Sequence, residues 1–289
     1  MRIYSLGSVN IDYVYGVDHF VRAGETLSSS QMNIYPGGKG LNQSIAAARA
    51  GGAVLHGVVL GDNGVFLLET LSNSGVDTSR IETVGGSCGH AIIQVDKSGQ
   101  NSILLFPGTN YSVDKAYAQR FLRDAEAGDF LILQNEISAL GEIMELAHEK
   151  KMQIALNPSP LGDNISKLPL QYVKWWFCNE IEGAALFGGE NVDALTRNFL
   201  SQYPDANLIL TLGKDGSIFV NRTQRIAQPI YPVQAVDTTA AGDTFAGYFI
   251  AAVAEGKEIA FAMDLAARAS SITVSRPGAS SSIPYRREL

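Results

Sequence analysis

Residues 130 to 157, Phe130-Leu-Ile-Leu-Gln134-Asn-Glu136-Ile-Ser-Ala-Leu140-Gly-Glu-Ile-Met-Glu-Leu-Ala-His-Glu-Lys150-Lys-Met-Gln-Ile-Ala-Leu-Asn157, decide the fold. An apolar strand (130–134) precedes a helical segment near 138–151, and a second apolar strand (153–157) follows. The rhythm continues, with strands at 175–178 and 207–212 and helices near 180–187 and 192–203. Such βα repetition implies an α/β fold whose mostly parallel central sheet is covered by helices on both faces, a three-layer sandwich. Polar residues close nearly every strand: Asn10 and Asp12, Glu136, Asn157, Asn179, Thr211. In open α/β sheets the ligand crevice lies outside those strand ends, so this rim is read as handling a polar ligand.

Upstream, Ile3–Leu6 reads as a strand ending at Gly7. From Tyr13 to Tyr35 the texture is Tyr, Val and Thr among polar residues without helical period, which predicts exposed antiparallel strands. Pro36-Gly37-Gly38-Lys39-Gly40 opens a helix from Leu41 to Ala50, stopped by Gly51-Gly52. Residues 53–83 read as strand, helix (about 64–72) and strand. A second β-rich patch has strands at 89–95 and 102–106, and the two patches are expected to pair into a small β-sheet lid. The chain is read as one domain over 1–289, with lid strands inserted from about 12–36 and 88–107.

With 289 residues, 46% hydrophobic and 18% charged, the chain can bury a large core. A net charge of −7 without a Lys/Arg cluster argues against nucleic acid as a partner. No apolar stretch is long enough to span a membrane, and the start runs straight into a strand, so a cytoplasmic protein is expected. Cys88 and Cys178 lack disulfide or metal spacing, and the four histidines (19, 56, 90, 148) lack metal spacing or a nucleophile partner.

The chemistry concentrates in Asp237-Thr-Thr-Ala-Ala-Gly-Asp243-Thr-Phe-Ala-Gly-Tyr-Phe249. Ala240, Ala241 and Gly242 lead into an apolar helix that runs through Ala254. Small residues at a helix start let an anion reach unpaired N–H groups at the positive end of the macrodipole. Asp243 sets a carboxylate beside that anion hole, an arrangement suited to phosphoryl transfer onto a hydroxyl. The competing reading is an N-capping Asp before a core helix. In Gly37-Gly38-Lys39-Gly40-Leu41-Asn42, glycines admit close approach, Lys39 adds charge and Asn42 offers donor and acceptor. The stretch is read as a binding loop over the competing flexible turn before a helix, and it is not a Walker A motif. Asn10 and Asp12, two apart, face one side of an extended chain, where the carboxylate can accept from a vicinal diol. Asn179 and Glu182 form either a capping box or a water-mediated Mg²⁺ site.

Asn10-Ile-Asp12, Gly37-Gly-Lys-Gly-Leu-Asn42-Gln, Asn179-Glu-Ile-Glu182, Thr211-Leu-Gly213-Lys-Asp-Gly216 and Asp237 to Phe245 occur in the order seen in the PfkB carbohydrate kinases, which the whole chain resembles. Lys39 and Gly108-Thr-Asn110 look most like the ribose-phosphorylating members. The resemblance implies ATP-dependent transfer to a sugar hydroxymethyl oxygen, the 5-hydroxyl of ribose. Asp243 would be the base and Ala240, Ala241 and Gly242 the anion hole. Asn10, Asp12, Gly38, Lys39, Asn42 and Glu136 would hold the sugar. Asn179, Thr211, Gly213, Gly216 and Gly242 would line the nucleotide site, with Glu182 acting on Mg²⁺ through water. Asp237, Thr239, Thr273, Arg276, Gly278 and Ser282 would surround a monovalent cation, K⁺, mostly through backbone carbonyls. The lid would pair with a second lid in a homodimer. Leu41 and Ala246 depart from the family pattern, and Leu41 is expected to reshape the sugar pocket. Rival readings are a kinase of another sugar or a nucleoside, and a non-catalytic sensor; the intact Asp243 argues against the sensor.

Overall fold

Phe130 and Ile132 of one strand enter one apolar core, while Leu131 and Leu133 between them enter a second. A strand buried on both faces needs a helical layer on each side. The computed structural model describes all residues from Met1 to Leu289 and has those layers. The central sheet holds eight strands. They are β1 (Ile3–Leu6), β4 (Val54–Gly57), β9 (Phe130–Gln134), β10 (Gln153–Asn157), β11 (Val173–Asn179), β12 (Asn207–Thr211), β13 (Ser217–Val220) and β14 (Arg225–Gln228). Their spatial order is β14-β13-β12-β11-β10-β9-β1-β4, parallel from β4 to β12, with β13 and β14 antiparallel.

One core packs α1 (Lys39–Arg49), α2 (Val65–Asn73), α7 (Ala241–Ala254) and α8 (Ile259–Val274) against the sheet. The other packs α3 (Lys115–Phe121), α4 (Leu140–Glu149), α5 (Glu180–Phe187) and α6 (Val192–Gln202). Helix α7 is apolar all round and nearly fully buried. Its Phe249 meets Trp175, Phe177 and Phe219 of the sheet at centroid distances of 5.9, 5.7 and 6.4 Å. Each such buried aromatic contributes about 1.5–3 kcal/mol. The position of α7, and so of Asp243 in its first turn, is therefore set by the core.

Chain order reverses at β1, where β4 lies on one side and β9 on the other. The crevice beyond β1 and β9 is the topological switch point where α/β folds place ligands. Over it stands a four-stranded sheet, ordered β3 (Gln31–Gly37), β2 (Asn10–Gly16), β7 (Gly89–Val95) and β8 (Asn101–Phe106). A third, two-stranded sheet pairs β5 (Val59–Leu60) with β6 (Glu82–Thr83).

The strands expected within 13–35 pair antiparallel as β2 and β3, and the two patches join through β2–β7, which is parallel, so the sheet is mixed. Strands β2 and β7 come from distant segments and both run outward from the body, so no hairpin constrains them to oppose. Residues 18–30 form no strand: the region is exposed and is tied by Glu25 to His19 and to the Arg22 amide. Helix α1 begins at Lys39 rather than Leu41. Leu41 is fully buried in the α1–α7 core, so it packs helices and does not shape a sugar pocket.

Candidate active site

Helix α1 and the loop after β1 interlock. Gly40 lies so close to that loop that a Cβ there would sit 2.5 Å from the Gly7 carbonyl carbon and the Ser8 nitrogen. The contact lets Leu41 N donate to Ser8 O (2.9 Å) and Gly40 N to Ser8 Oγ (3.3 Å). Ser8 in turn donates to Glu136, which also accepts from Lys39 N at 3.3 Å. Glu136, Lys39 and the β1 loop are thereby gathered at the switch point.

The electrostatics follow from this crowding. Burial alone would lower the Lys39 pKa, but Asp243, Glu136 and Glu182 outweigh it and the ammonium is held. Burial raises the Glu136 pKa against the opposing pull of Lys39 and Ser8. Asp12, partly buried and facing Glu136, is pushed up to about 7, burial being the larger cause. One lysine among several carboxylates leaves unspent negative charge, which suits an acceptor of hydroxyl protons such as a polyol.

Asn10 is held by a residue whose role sequence reasoning left unassigned. Asn110 Nδ2 donates to Asn10 Oδ1 (2.8 Å), and Asn110 Oδ1 accepts from Val9 N (3.1 Å). Its visible signal was the Gly108-Thr-Asn110 motif.

Asp243 is buried in the first turn of α7, where Asn42 Nδ2 donates to Oδ2 (3.2 Å) and Gln43 Nε2 to Oδ1 (2.9 Å). Gln43 and Gln134, also missed as site residues, are linked by a 2.7 Å bond from Gln134 Nε2 to Gln43 Oε1. Ala240 sits in the left-handed region (φ 61°) as the N-cap. Ala241 N bonds Thr238 O (3.3 Å) and Thr244 N bonds Ala240 O (2.8 Å), while the N–H groups of Gly242 and Asp243 have no protein partner. A Cβ on Gly242 would meet nothing within 4 Å, so no protein contact demands a glycine there. Free N–H groups under an open, side-chain-free surface make an anion hole.

Two clefts meet at this turn. One, of about 760 Å³, runs beneath the four-stranded sheet and is lined by Asp12, Asn33, Tyr35 and Ile93 above and by Thr238 and Gly278 below. The other, of about 440 Å³, brings together Thr211, Gly213, Gly216 and Gly242. Its apolar wall is Ile230, Val233, Phe245 and Val274, a set sequence reasoning did not place. These residues come from distant segments and carry no spacing signal. Asn179 and Glu182 do form the capping box: Glu182 N donates to Asn179 Oδ1 (2.8 Å) and Asn179 N to Glu182 Oε2 (3.0 Å). Glu182 also accepts from Ser159 Oγ.

Around Asp237, Thr239 N donates to Oδ1 (2.9 Å) and Gly278 N to Oδ2 (3.0 Å). These bonds outweigh burial, which alone would raise it, and hold its pKa low. The side chains of the other expected cation residues turn elsewhere. Thr273 is buried in α8 beside Thr244 (3.1 Å), Arg276 pairs with Glu288 (2.8 Å), and Ser282 Oγ donates to Ala279 O (2.7 Å).

The pfkB family carbohydrate kinase model matches residues 2–286. The chain belongs to the pfkB family. It is 34% identical over 292 residues to a ribokinase of Bacillus subtilis, covering all of this chain and 98% of that one. Among solved structures, ribokinase from Thermotoga maritima aligns with a TM-score of 0.87 at 35% identity, covering 100% of this chain and 97% of its own. Arabidopsis thaliana ribokinase complexed with ribose and ATP aligns with a TM-score of 0.87 at 26% identity, covering 99% and 96%. As a pfkB-family carbohydrate kinase the chain is a phosphotransferase acting on a sugar hydroxyl.

Proposed function

We propose that this chain is an ATP-dependent ribose kinase that transfers the γ-phosphoryl group to the 5-hydroxyl. The observation that carries the reading is Asp243 beside the unpaired N–H groups of Gly242 and itself, five residues past Thr238, which lines both clefts. Asp12 and Asn10 accept from and donate to the sugar diol, with Lys39, Glu136 and Asn42 around them. Asp243 takes the hydroxyl proton while the α7 amides hold charge on the transferring phosphoryl. The nucleotide occupies the second cleft, with its base against Ile230, Val233 and Val274. Its phosphates run past Thr211, Gly213 and Gly216 toward Gly242. The full-length likeness to ribokinases supports ribose over other acceptors.

Glu182 is the residue for Mg²⁺ through water: each oxygen takes one protein hydrogen bond, which leaves lone pairs for the ion's water shell. When bound, Mg²⁺ neutralises charge on the phosphates. A monovalent cation suits the Asp237 loop, where one carboxylate lies among backbone groups and no cluster of three metal-ligating side chains exists. Each Asp237 oxygen takes one backbone N–H, which leaves lone pairs for a K⁺ that would be completed by backbone carbonyls of Thr239, Gly278 and the 273–282 segment.

The outer face of the small sheet carries a row across its strands, Ile34, Tyr13, Ile92 and Leu104, and all of these but Tyr13 are exposed. That row supports a homodimer through the lid. Two unpaired cysteines, both buried, fit a cytoplasmic setting, and no helix is long and apolar enough to cross a membrane. The deciding experiment is phosphorylation by ATP·Mg²⁺ over a panel of pentoses, hexoses and nucleosides. Ribose should give the highest kcat/KM; a clear preference for a nucleoside or hexose would replace this reading.

A further inference from the structure

Gln43 and Gln134 are 1% and 0% exposed; the Gln134 side chain bonds only Gln43, and Gln43 bonds Asp243. We infer that they form a one-way amide relay that aims the Asp243 carboxylate at the acceptor hydroxyl; the inference rests on the kinase reading above. The direction follows from chemistry. An ionised carboxylate only accepts, so Gln43 must turn its NH₂ to Asp243 Oδ1, at 2.9 Å. Its amide oxygen then faces Gln134, which must answer with its own NH₂, at 2.7 Å.

Gln134 is seated by contact. Its Oε1 lies where a Cβ on Gly7 would fall, 2.1 Å away, and Oε1 has no hydrogen-bond partner. A buried amide oxygen left unpaired is costly, so the seat is held for what the NH₂ does. Asn42 restrains the other oxygen from the same helix, at 3.2 Å. With both oxygens tethered from the α1 side, the carboxylate is held against rotation and keeps lone pairs to accept a hydroxyl proton. The donors are neutral amides, which orient the base without competing for the proton it must accept. Lys39 on α1 and Glu136 beyond β9 are the charged groups that face Asp243. Gln43 and Gln134 are thus positioning residues, acting through Asp243.

The test uses Gln43→Met, Gln134→Met and the double variant in the full-length protein, with folding checked by thermal unfolding. Gln43→Met should lower kcat by about ten- to a hundredfold, the range of a hydrogen bond to a charged group, with KM for sugar and ATP little changed. Loss of a donor to the ionised form should also move the acid limb of kcat to higher pH. Gln134→Met should act in the same sense but less. The double variant should match Gln43→Met alone, because a relay broken at its second link cannot be broken again.

A readout independent of turnover is the ¹³C titration of the Asp243 carboxyl, assigned by its loss in Asp243→Asn. It should titrate at higher pH in both single variants. An unchanged titration and pH profile in folded Gln43→Met, or additive losses in the double variant, would overturn the relay. Should Gln43→Met fail to fold, an unchanged titration in Gln134→Met overturns it equally. If no sugar is phosphorylated by the parent protein yet the titration shifts, the kinase reading falls and the relay stands.

Discussion

Helices α1 and α7 both start at the candidate site, yet the first spends its leading N–H groups inside the protein and the second leaves two of them free. At α1, Lys39 N bonds Glu136, Gly40 N bonds Ser8 Oγ and Leu41 N bonds Ser8 O. At α7, Gly242 and Asp243 have no such partners. The positive end of α1 is consumed by a carboxylate of the fold, so that helix contributes side chains: Lys39, Asn42, Gln43. The positive end of α7 is reserved, so that helix contributes backbone. Glycine has opposite meanings in the two places. Gly40 is required because the β1 loop presses on it, whereas no protein contact requires Gly242, and the proposed anion hole is what would.

The sharpest break in the comparison is chemical. Asp243→Asn keeps the shape of the α7 turn but removes the base, so kcat should fall by roughly 10²–10⁴ while ribose affinity by calorimetry stays within a few-fold. Activity surviving nearly whole would send the proton elsewhere.

Next come the two glycines. Gly242→Val should leave Tm unchanged and cost kcat roughly 10²–10³, the effect of losing an oxyanion donor. Gly40→Ala should do the reverse in kind, lowering Tm by several degrees, at about 2–4 °C per kcal/mol in a chain of this size. A Gly242→Val protein that unfolds early but turns over normally would erase the distinction drawn here.

Asp12 probes the side-chain half. Asp12→Asn should raise KM for ribose by about ten- to a hundredfold, the loss of charge-assisted hydrogen bonds, and leave KM for ATP alone. In the parent protein, KM for ribose should fall as pH rises through about 7, as Asp12 ionises. The stability sign is opposite. With the folded pKa pushed up to about 7 by burial, from an ordinary carboxylate's 3.8, the stability it contributes is fully present below about 4 and lost as pH climbs through 7. Sugar-free protein should therefore lose stability across that window, and Asp12→Asn should flatten the loss in a pH series of melts.

The smallest expected effect concerns the loop before α7. K⁺ should raise kcat more than it lowers KM for ribose, with Na⁺ and Li⁺ poor substitutes, by fixing the backbone that presents Gly242. Equal rates in K⁺ and tetramethylammonium at constant ionic strength would remove the cation from the account.

What was legible in the sequence tracks how locally each feature is encoded. Strands 130–134 and 153–157 were readable to the residue, because burial on both faces forces an unbroken apolar run. Asp243 and the small residues before it were readable because a helix start imposes fixed spacing. Helix α8, Ile259–Val274, was not assigned: its Ala- and Ser-rich run offers little contrast between faces. The direction of the β2–β7 pair that joins the two patches was not legible, because it is set by how distant segments leave the body. Gln134 was seen only as part of a strand-end cluster. Its partnership with Gln43 joins residues 91 apart in the chain and leaves no local pattern.

Ala235 and Thr238, just ahead of the α7 turn, line both clefts. If sugar and nucleotide take these clefts as proposed, a shared wall makes them acquainted before any chemistry occurs: whichever arrives first settles part of the surface the second will meet. Thermodynamic linkage makes that influence mutual, so the factor by which sugar changes nucleotide affinity equals the factor by which nucleotide changes sugar affinity. Substrate synergy in this fold needs no signal carried across the sheet, because both pockets are bounded by one strip of backbone.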